Sequence, residues 1–455
     1  MAINLRQSST SPNISDSNLV FAVTSNSSSA DQFRFVCDIN DDSGTLLQRV
    51  KQQPNPNDTG VFDLGMLIST YLGPTDPVWD IANVTANTSC SQDYQIRFGE
   101  EFSDSVTGFT TLYTGDDPDA AGNPNVSGSN YTTILNGVLN PQDQVNWNWN
   151  SGSKYEEEST DGLTTFNHQF GLTSFNTSSV RTGDYHTLSI LNGNLAGITS
   201  SAVDSSLAQD IYAVVYRQYD ATGSLLDTDI LYNTTAGPRT TSSELWDDVY
   251  LDQDETTRLI HFPAGPQNIE DAGVPILADD TGYYTMTFYN QTAEPGVNYN
   301  GVWGEYRFEI DNRNCGYSGQ RFAWKNEYGV WDYYNFSLAQ STTATIEREQ
   351  YEQSFVDYSA TNTVAYNNER RGNTQYQNRV TKNRTAETDY LTQVDADNLR
   401  ELFYSTNVYA QQPDGAYFPV VLTDVTATEK TNPRSQKLFR YTVNYQYANT
   451  NTARL

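Results

Sequence analysis

The alternation of apolar and polar residues predicts many short strands and few helices. Apolar side chains recur at every second position from 33 to 39, and a polar turn at 40–44 leads to another strand at 46–51. Segments 211–219 and 225–232, separated by a turn at 220–224, predict a second hairpin. We therefore expect a mainly β protein.

The longest alternating pattern lies near the end of the chain. Phe439, Tyr441, Val443, Tyr445 and Tyr447 fall on one face of a predicted strand, and polar side chains fall on the other. The segment YFPVVLTDVTATE is predicted to be its partner. The edge of this strand could supply backbone hydrogen bonds to another subunit.

Two segments have helical spacing instead. Asp63 is a predicted N-cap, apolar residues follow from Leu64 to Leu72 at positions that share one face, and Gly73 with the next proline ends the pattern. The second segment is DADNLRELF, residues 395–403, which has an acidic start.

Turn-rich stretches divide the chain into four predicted regions. Residues 1–116 form a β-sandwich-like domain with one short helix, and 117–171 are a linker with a hairpin whose turn is Asn136–Gly137. Residues 172–312 form a second β-sandwich-like domain, and 313–455 form an α+β domain for assembly. The expected fold is thus two immunoglobulin-like or fibronectin-III-like sandwiches plus this domain, without a repeat at residue level.

Charge is distributed unevenly between these regions. The net charge is −30, yet residues 1–312 contain 11 Lys+Arg and 41 Asp+Glu, whereas residues 313–455 contain 15 of each. Such acidity argues against nucleic acid and anionic membranes as partners. Because copies of an acidic surface repel each other, we expect the neutral C-terminal third to dock into an assembly.

A dense aromatic stretch begins at the change of charge. Eight rings lie between residues 315 and 336, and three more belong to the terminal strand: Tyr317, Phe322, Trp324, Tyr328, Trp331, Tyr333, Tyr334 and Phe336, then Phe439, Tyr441 and Tyr445. One interpretation is a core strand pair at a domain boundary. The other is a contact surface for further subunits.

Catalytic and metal-binding motifs are scarce. His168, His186 and His261 occur in unrelated contexts, and the hydrolase, dinucleotide and P-loop motifs are absent. The sequence therefore predicts no enzyme, no cofactor and no metal site. A glycosidase carboxylate pair is the hardest alternative to exclude, with the candidates Glu100, Glu101, Glu305 and Glu309.

Other features have simple interpretations. Asp38, Asn40 and Asp42 resemble the start of a calcium loop, but Ser43 and Arg49 occupy positions that need Gly and Glu, so we expect a polar hairpin tip. The three cysteines, Cys37, Cys90 and Cys315, are expected to be free thiols. No apolar leader or membrane segment is evident, which predicts synthesis in a reducing cytoplasm.

The chain resembles a known family at several patches. RFAWKNEYGVWDYYNF, LRELFYSTNVY, YFPVVLTD and KLFRYTVNYQYAN, together with FRFVCDI, QRVKQQPNPNDTGVFDLGMLISTYL and YQIRFGEEF, are similar to virion structural proteins of tailed bacteriophages. The resemblance covers about half the chain and implies a tail or baseplate component. It implies localisation in the virion, with other virion proteins and copies of itself, in a ring-like homo-oligomer, as partners.

Three functional hypotheses follow. A structural virion protein is favoured. A receptor- or glycan-binding adhesin of the particle, with a host surface glycan as partner, is the alternative and would expose rows of aromatic rings. A depolymerase is the third hypothesis and would need two facing carboxylates in a groove.

Overall fold

A computed structural model of the chain describes most of its residues. The described residues are 3–7, 13–16, 19–41, 43–73, 79–87, 91–104, 108–113, 131–138, 158–159, 166–167, 171–173, 175–191, 213–232, 259–273, 277–289, 302–311, 319–353, 356–358, 364–366, 372–424, 440–448 and 451–454. Within them the chain is mainly β, with several sheets and three short helices. This confirms the expectation of a mainly β protein.

The strands and helices have the following bounds. The first nineteen strands are β1 (Ile3–Gln7), β2 (Asn13–Asp16), β3 (Val20–Ser25), β4 (Arg34–Asn40), β5 (Leu46–Gln52), β6 (Thr59–Asp63), β7 (Thr85–Asn87), β8 (Ser91–Asp104), β9 (Gly108–Tyr113), β10 (Tyr131–Val138), β11 (Glu158–Ser159), β12 (Phe166–Asn167), β13 (Thr177–Val180), β14 (Thr187–Leu191), β15 (Ala213–Tyr219), β16 (Leu225–Tyr232), β17 (Leu259–Pro263), β18 (Tyr283–Tyr289) and β19 (Val302–Ile310). The remaining strands are β20 (Gln320–Lys325), β21 (Trp331–Phe336), β22 (Ser341–Glu352), β23 (Val356–Tyr358), β24 (Val364–Tyr366), β25 (Asn373–Glu387), β26 (Val408–Gln411), β27 (Tyr417–Asp424), β28 (Thr442–Tyr447) and β29 (Asn451–Arg454). The helices are α1 (Gly65–Ser69), α2 (Pro266–Ala272) and α3 (Gln393–Tyr404).

The chain divides into two compact units. The first unit is Met1–Asn312 with Lys325–Asp332, and the second is Arg313–Trp324 with Tyr333–Leu455. The division between Asn312 and Arg313 coincides with the change of charge. The segment Lys325–Asp332 joins the first unit, although it lies beyond that division.

The first half of the first unit has two sheets around one core. The larger sheet has the order β2-β10-β8-β4-β5, with β9 also paired to β8, and the smaller has the order β1-β3-β6. Side chains of both sheets share this core, among them Phe21 of β3, Phe35 of β4 and Phe98 of β8. Ile68 of α1 and Leu72 beyond it complete the core.

The second half repeats this arrangement. Its larger sheet has the order β13-β19-β18-β15-β16, and its smaller sheet has the order β14-β17-β7. Leu188 and Phe262 of the smaller sheet share a core with Tyr216 and Phe308 of the larger, and Ile269 of α2 packs there too.

Strand directions match as well. In both larger sheets the first strand in the chain (β2, β13) is parallel to the last (β10, β19), and a hairpin (β4–β5, β15–β16) ends the sheet. In both halves a helix follows the strand of the smaller sheet that comes last in the chain, β6 or β17. The element order β2-β3-β4-β5-β6-α1-β8-β10 thus recurs as β13-β14-β15-β16-β17-α2-β18-β19, as a duplicated domain would show.

A short repeat at residue level accompanies the topology. The hairpin turns read DDSGTLLQ at 41–48 and DATGSLLD at 220–227. Asp41 Oδ1 accepts a hydrogen bond from Thr45 N at 2.7 Å, and Asp220 Oδ1 accepts one from Ser224 N at 2.8 Å. The hydroxyl of Ser43 and that of Thr222 also donate to these carboxylates, and this lowers the pKa of both aspartates. The expectation that no such repeat exists was therefore wrong.

Both hairpins predicted from alternation are confirmed. Strand β4 pairs antiparallel with β5, and β15 pairs antiparallel with β16. The first helix is shorter than predicted, because Asp63 ends β6 and α1 ends at Ser69. The second is longer, because the hydroxyl of Thr392 caps it by accepting from Asp395 N at 3.2 Å.

The predicted Asn136–Gly137 turn was wrong. Both residues lie inside the continuous strand β10, which pairs with β8 and β2. Gly137 serves close packing here: a Cβ at this position would overlap the backbone oxygen of Glu327. The region predicted as a linker thus contributes a strand to the first sheet.

The second unit is built on one eight-stranded sheet. Its order is β21-β20-β26-β27-β28-β25-β22, with β29 also paired to β25. Helix α3 packs through Ala396, Leu399 and Leu402, which are buried. The ring of Phe403 lies 5.2 Å from that of Tyr441, in edge-to-face geometry.

Candidate assembly surface

The aromatic stretch forms the hairpin β20–β21. Six of its rings are buried, namely Phe322, Trp324, Tyr328, Trp331, Tyr333 and Phe336, and Tyr334 is half-buried. Tyr317 lies outside the described residues. The stretch is therefore core in this chain, which is the first of the two sequence interpretations.

The turn of this hairpin is held inside the first unit by Asn326. Its Oδ1 accepts from the backbone of Tyr328 at 3.1 Å and of Val330 at 3.2 Å, which shapes the turn. Its Nδ2 donates to Leu172 O at 2.7 Å and to Asp332 Oδ2 at 3.0 Å. One buried amide thus joins the turn to the segment before β13.

Asp332 extends this network. It is 1% exposed, and its Oδ1 accepts from the hydroxyl of Thr173 at 2.5 Å. The neighbouring ring of Trp331 meets Trp79 edge-to-face, with centroids 5.7 Å apart. A fragment ending at residue 312 would lack these contacts, so the first unit is incomplete without Lys325–Asp332.

Arg321 of β20 is buried in the second unit. Its Nε donates to the hydroxyl of Tyr417 at 3.1 Å, its Nη1 donates to Asn335 Oδ1 at 3.0 Å, and its guanidinium lies 5.2 Å from the ring of Tyr333. Arginine can satisfy several acceptors at once because its donors are fixed in a plane. These contacts bind β20 and β21 to β27.

The terminal strand is also core. Tyr441 and Tyr445 are buried, and the hydroxyl of Tyr445 donates to Gln320 Oε1 at 2.9 Å, whereas Phe439 lies outside the described residues. The open edge expected for this strand is not present. Strand β28 lies between β27 and β25 and pairs with both, so its backbone groups are already used within the sheet.

An exposed ribbon is present elsewhere in the second unit. Strand β22 pairs antiparallel with β25 over its whole length, from Ser341 opposite Thr385 to Glu352 opposite Asn373. All twelve residues of β22 are exposed, and none of β25 is buried before Ala386. The ribbon is about 40 Å long.

The two faces of the ribbon differ in charge. On one face Ile346 lies opposite Val380. Ala344, which precedes Ile346 on this face, lies opposite Lys382, and Arg348 follows Ile346 on the same face. We call this the cationic face. On the opposite face Glu347 lies across from Arg379, and the hydroxyl of Tyr376 donates to Glu349 at 2.6 Å, so acidic and basic side chains are mixed there.

This ribbon was not predicted from the sequence. The available signal was the polar composition of both alternating faces, because a strand that packs on a core has one apolar face. That pattern predicts a strand exposed on both sides. The strand pairing itself has no local sequence signal.

The candidate carboxylates do not form glycosidase pairs with their neighbours. Glu100 and Glu101 are consecutive on β8, so their side chains point to opposite faces. Glu100 is buried and accepts a hydrogen bond from the hydroxyl of Ser25, and Glu101 forms an ion pair with Lys51. Glu305 and Glu309 are four residues apart on β19, which separates them by about 13 Å, beyond the glycosidase range.

The described histidines are structural. His261 is fully buried beside Ser189, whose Oγ lies 2.8 Å from His261 Nδ1. Burial lowers the pKa of His261 to about 4. His186 is buried with its ring 5.1 Å from that of Phe308, and His168 lies outside the described residues.

The hairpin tip that resembles a calcium loop uses its carboxylates internally. Asp38 accepts two hydrogen bonds from Arg49, at 2.7 and 2.8 Å. Asp41 orders the turn, and Asp42 lies outside the described residues. Over the described part of the chain, no group of three or more His, Cys, Asp or Glu residues is arranged to hold a metal ion.

Comparisons with known proteins add no family. No protein-family model matches the chain, and no curated protein matches it significantly. None of the described helices is long and apolar enough to span a membrane.

Proposed function

We propose that this chain is a structural component of a tailed-bacteriophage virion, in the tail or baseplate, and that it acts by protein–protein assembly. The observation that carries the proposal is the ribbon β22–β25. Its outer strand, β22, is exposed on both faces and therefore gains little from the core of its own unit. It becomes stable and useful when another chain covers it.

Other features are consistent with this proposal. The sequence patches resembling virion proteins lie on elements of both units, including β4, β8, β20–β21 and β28. We also propose that the two halves of the first unit are immunoglobulin-like or fibronectin-III-like sandwiches, because two sheets share each core. Rigid β domains of this type suit a particle that assembles inside a cell and functions outside it.

The test is the composition of purified particles. Quantitative mass spectrometry of particles banded to constant composition should find this chain at a fixed copy number relative to the major capsid protein. Antibodies to the chain should label the tail or baseplate in electron micrographs. A chain that is lost on purification, or whose copy number varies between preparations, would contradict the proposal.

Glycan binding by the same ribbon is the second candidate function. Tyr351 and Tyr376 are 48% and 44% exposed, and their ring centroids are 6.1 Å apart. Exposed tyrosine rings can stack on sugars. Substitution of both by Ala should abolish binding of the purified chain to host surface glycans. No binding by the wild-type chain would remove this candidate.

A further inference from the structure

Two sheet edges present faces of opposite charge. Strand β22 ends the sheet of the second unit, and β16 ends the larger sheet in the second half of the first unit. Among the described residues β22 pairs only with β25, and β16 pairs only with β15. Each edge therefore presents a row of backbone donors and acceptors to its surroundings.

Strand β16 is acidic and partly apolar. Leu225 and Leu226 are 56% and 37% exposed. Asp227 and Asp229 lie opposite Gln218 and Tyr216 of β15, so both point to the side of the sheet that faces the core. Partial burial raises the pKa of Asp229, and repulsion from Asp227 adds to this effect. Inward-pointing charges of this kind protect an edge against indiscriminate pairing.

The cationic face of β22 and β25 offers the complementary set, whereas Glu347 and Glu349 of β22 point to the opposite face. Ile346 is 50% exposed and is flanked on the cationic face by Arg348 and by Lys382 of the adjacent strand. The ion pairs found among the described residues include neither cation. In a chain of net charge −30, a face whose cations form no ion pair with the described residues is best matched by an acidic surface of the same assembly.

We infer that β22 of one copy adds to the open edge of β16 in a second copy, with its cationic face beside Asp227 and Asp229. The inference rests on the proposed function, because it takes self-assembly as the activity of the chain. Backbone hydrogen bonds would supply affinity, and the charge match would supply specificity. Because two different edges meet, the contact is head-to-tail, and repetition produces a ring or a filament.

Charge reversal tests the contact with the purified full chain. The variants are Arg348→Glu with Lys382→Glu on the ribbon, and Asp227→Lys with Asp229→Lys on β16. Each variant alone should self-associate at least about tenfold more weakly in sedimentation velocity, since removing such a charge pair costs more than about 1.4 kcal/mol of association free energy. An equimolar mixture should associate again, because the two reversed surfaces match each other.

A matched control separates the contact from general charge effects. Arg379→Gln removes a cation from the same ribbon on its opposite face and should leave self-association unchanged. All variants should keep the wild-type circular dichroism spectrum. A photo-crosslinker at Ile346 should link to peptides from 225–232 of a differently isotope-labelled copy.

Three results would overturn the inference. They are a wild-type chain that stays monomeric at low salt, a reversed variant that associates like wild type, and a mixture that fails to recover. If the chain is nevertheless found at fixed copy number in particles, the proposed function stands and only this contact fails.

Discussion

The missing side chain of Gly137 makes room for the backbone carbonyl of Glu327. Val138 N donates to that carbonyl at 2.9 Å, which joins the end of β10 to the turn between β20 and β21. In the reverse direction, a Cβ at Gly329 would overlap the carbonyl oxygen of Asn136. Two glycines almost two hundred residues apart thus allow two backbones to touch.

Gly137→Ala should therefore destabilise the chain. The new methyl group meets backbone on the opposite side, which cannot move aside as a flexible side chain would, so the free energy of unfolding should fall by about 2 kcal/mol or more. Chemical denaturation of the full chain measures this change.

Gly183→Ala is the matched control. Gly183 has no heavy atom within 4 Å of the position its Cβ would take, and its φ angle is not positive. This substitution should change the free energy of unfolding by less than about 0.5 kcal/mol. Equal effects at the two positions would mean that Gly137 and Glu327 are not in close contact.

The error at Asn136–Gly137 shows what local sequence can and cannot predict. Asn-Gly is a strong turn signal because Gly tolerates positive φ, but the same lack of a Cβ also allows close approach of distant backbones. Sequence alone cannot separate the two uses. By contrast, α3 and the hairpins β4–β5 and β15–β16 depend on neighbouring residues, and they were predicted correctly.

The candidate site shows the same division. Burial of Phe322, Trp324 and Tyr445 follows from aromatic content. Membership of Lys325–Asp332 in the first unit instead depends on contacts with Leu172 and Thr173, which are distant in sequence. The parallel pairing of β2 with β10 is equally non-local. The exposed ribbon could have been inferred from its polarity, but its charge asymmetry depends on the register between β22 and β25.

Asn268 should be among the most sensitive polar residues. It is fully buried, its Oδ1 accepts from His186 N at 2.7 Å, and its Nδ2 donates to Trp79 O at 2.6 Å and Ile81 O at 2.9 Å. Asn268→Ala leaves these buried backbone groups without this partner, which should lower the free energy of unfolding by about 3 kcal/mol. Thermal and chemical denaturation would measure the loss.

Gln267→Ala provides the comparison for Asn268. The side chain of the neighbouring Gln267 donates to Asp271 Oδ1 at 3.0 Å, on the surface of α2. Its loss should change the free energy of unfolding by about 0.5 kcal/mol or less. Equal decreases in the free energy of unfolding for the two variants would show that Asn268 does not connect α2 to the backbones of Trp79, Ile81 and His186.

Cys37 should be unreactive in the folded chain. Its thiol is free and fully buried in the core of the first half, and burial raises its pKa, so little thiolate is available. Pulsed alkylation with mass spectrometry should label Cys37 only in denaturant. Labelling of Cys37 at native conditions, at a rate above that of global unfolding, would contradict this placement. The same peptide maps would test whether Cys90 and Cys315 are free thiols, as the sequence predicts.

His261 should make the free energy of unfolding depend on pH. Burial holds the folded-state pKa at about 4, below the ordinary value of 6.5. Above pH 6.5 the imidazole is neutral in both states, so its contribution to stability is complete. Between pH 6.5 and 4 the unfolded chain binds a proton that the folded chain does not, and the free energy of unfolding falls by about 3 kcal/mol.

In His261→Asn the amide can still bond Ser189 but does not titrate. The difference in free energy of unfolding between wild type and this variant should therefore shrink by about that amount from pH 7 to pH 4, measured by urea denaturation across the range. A difference that stays constant with pH would show that His261 is solvated, or already charged, in the folded chain.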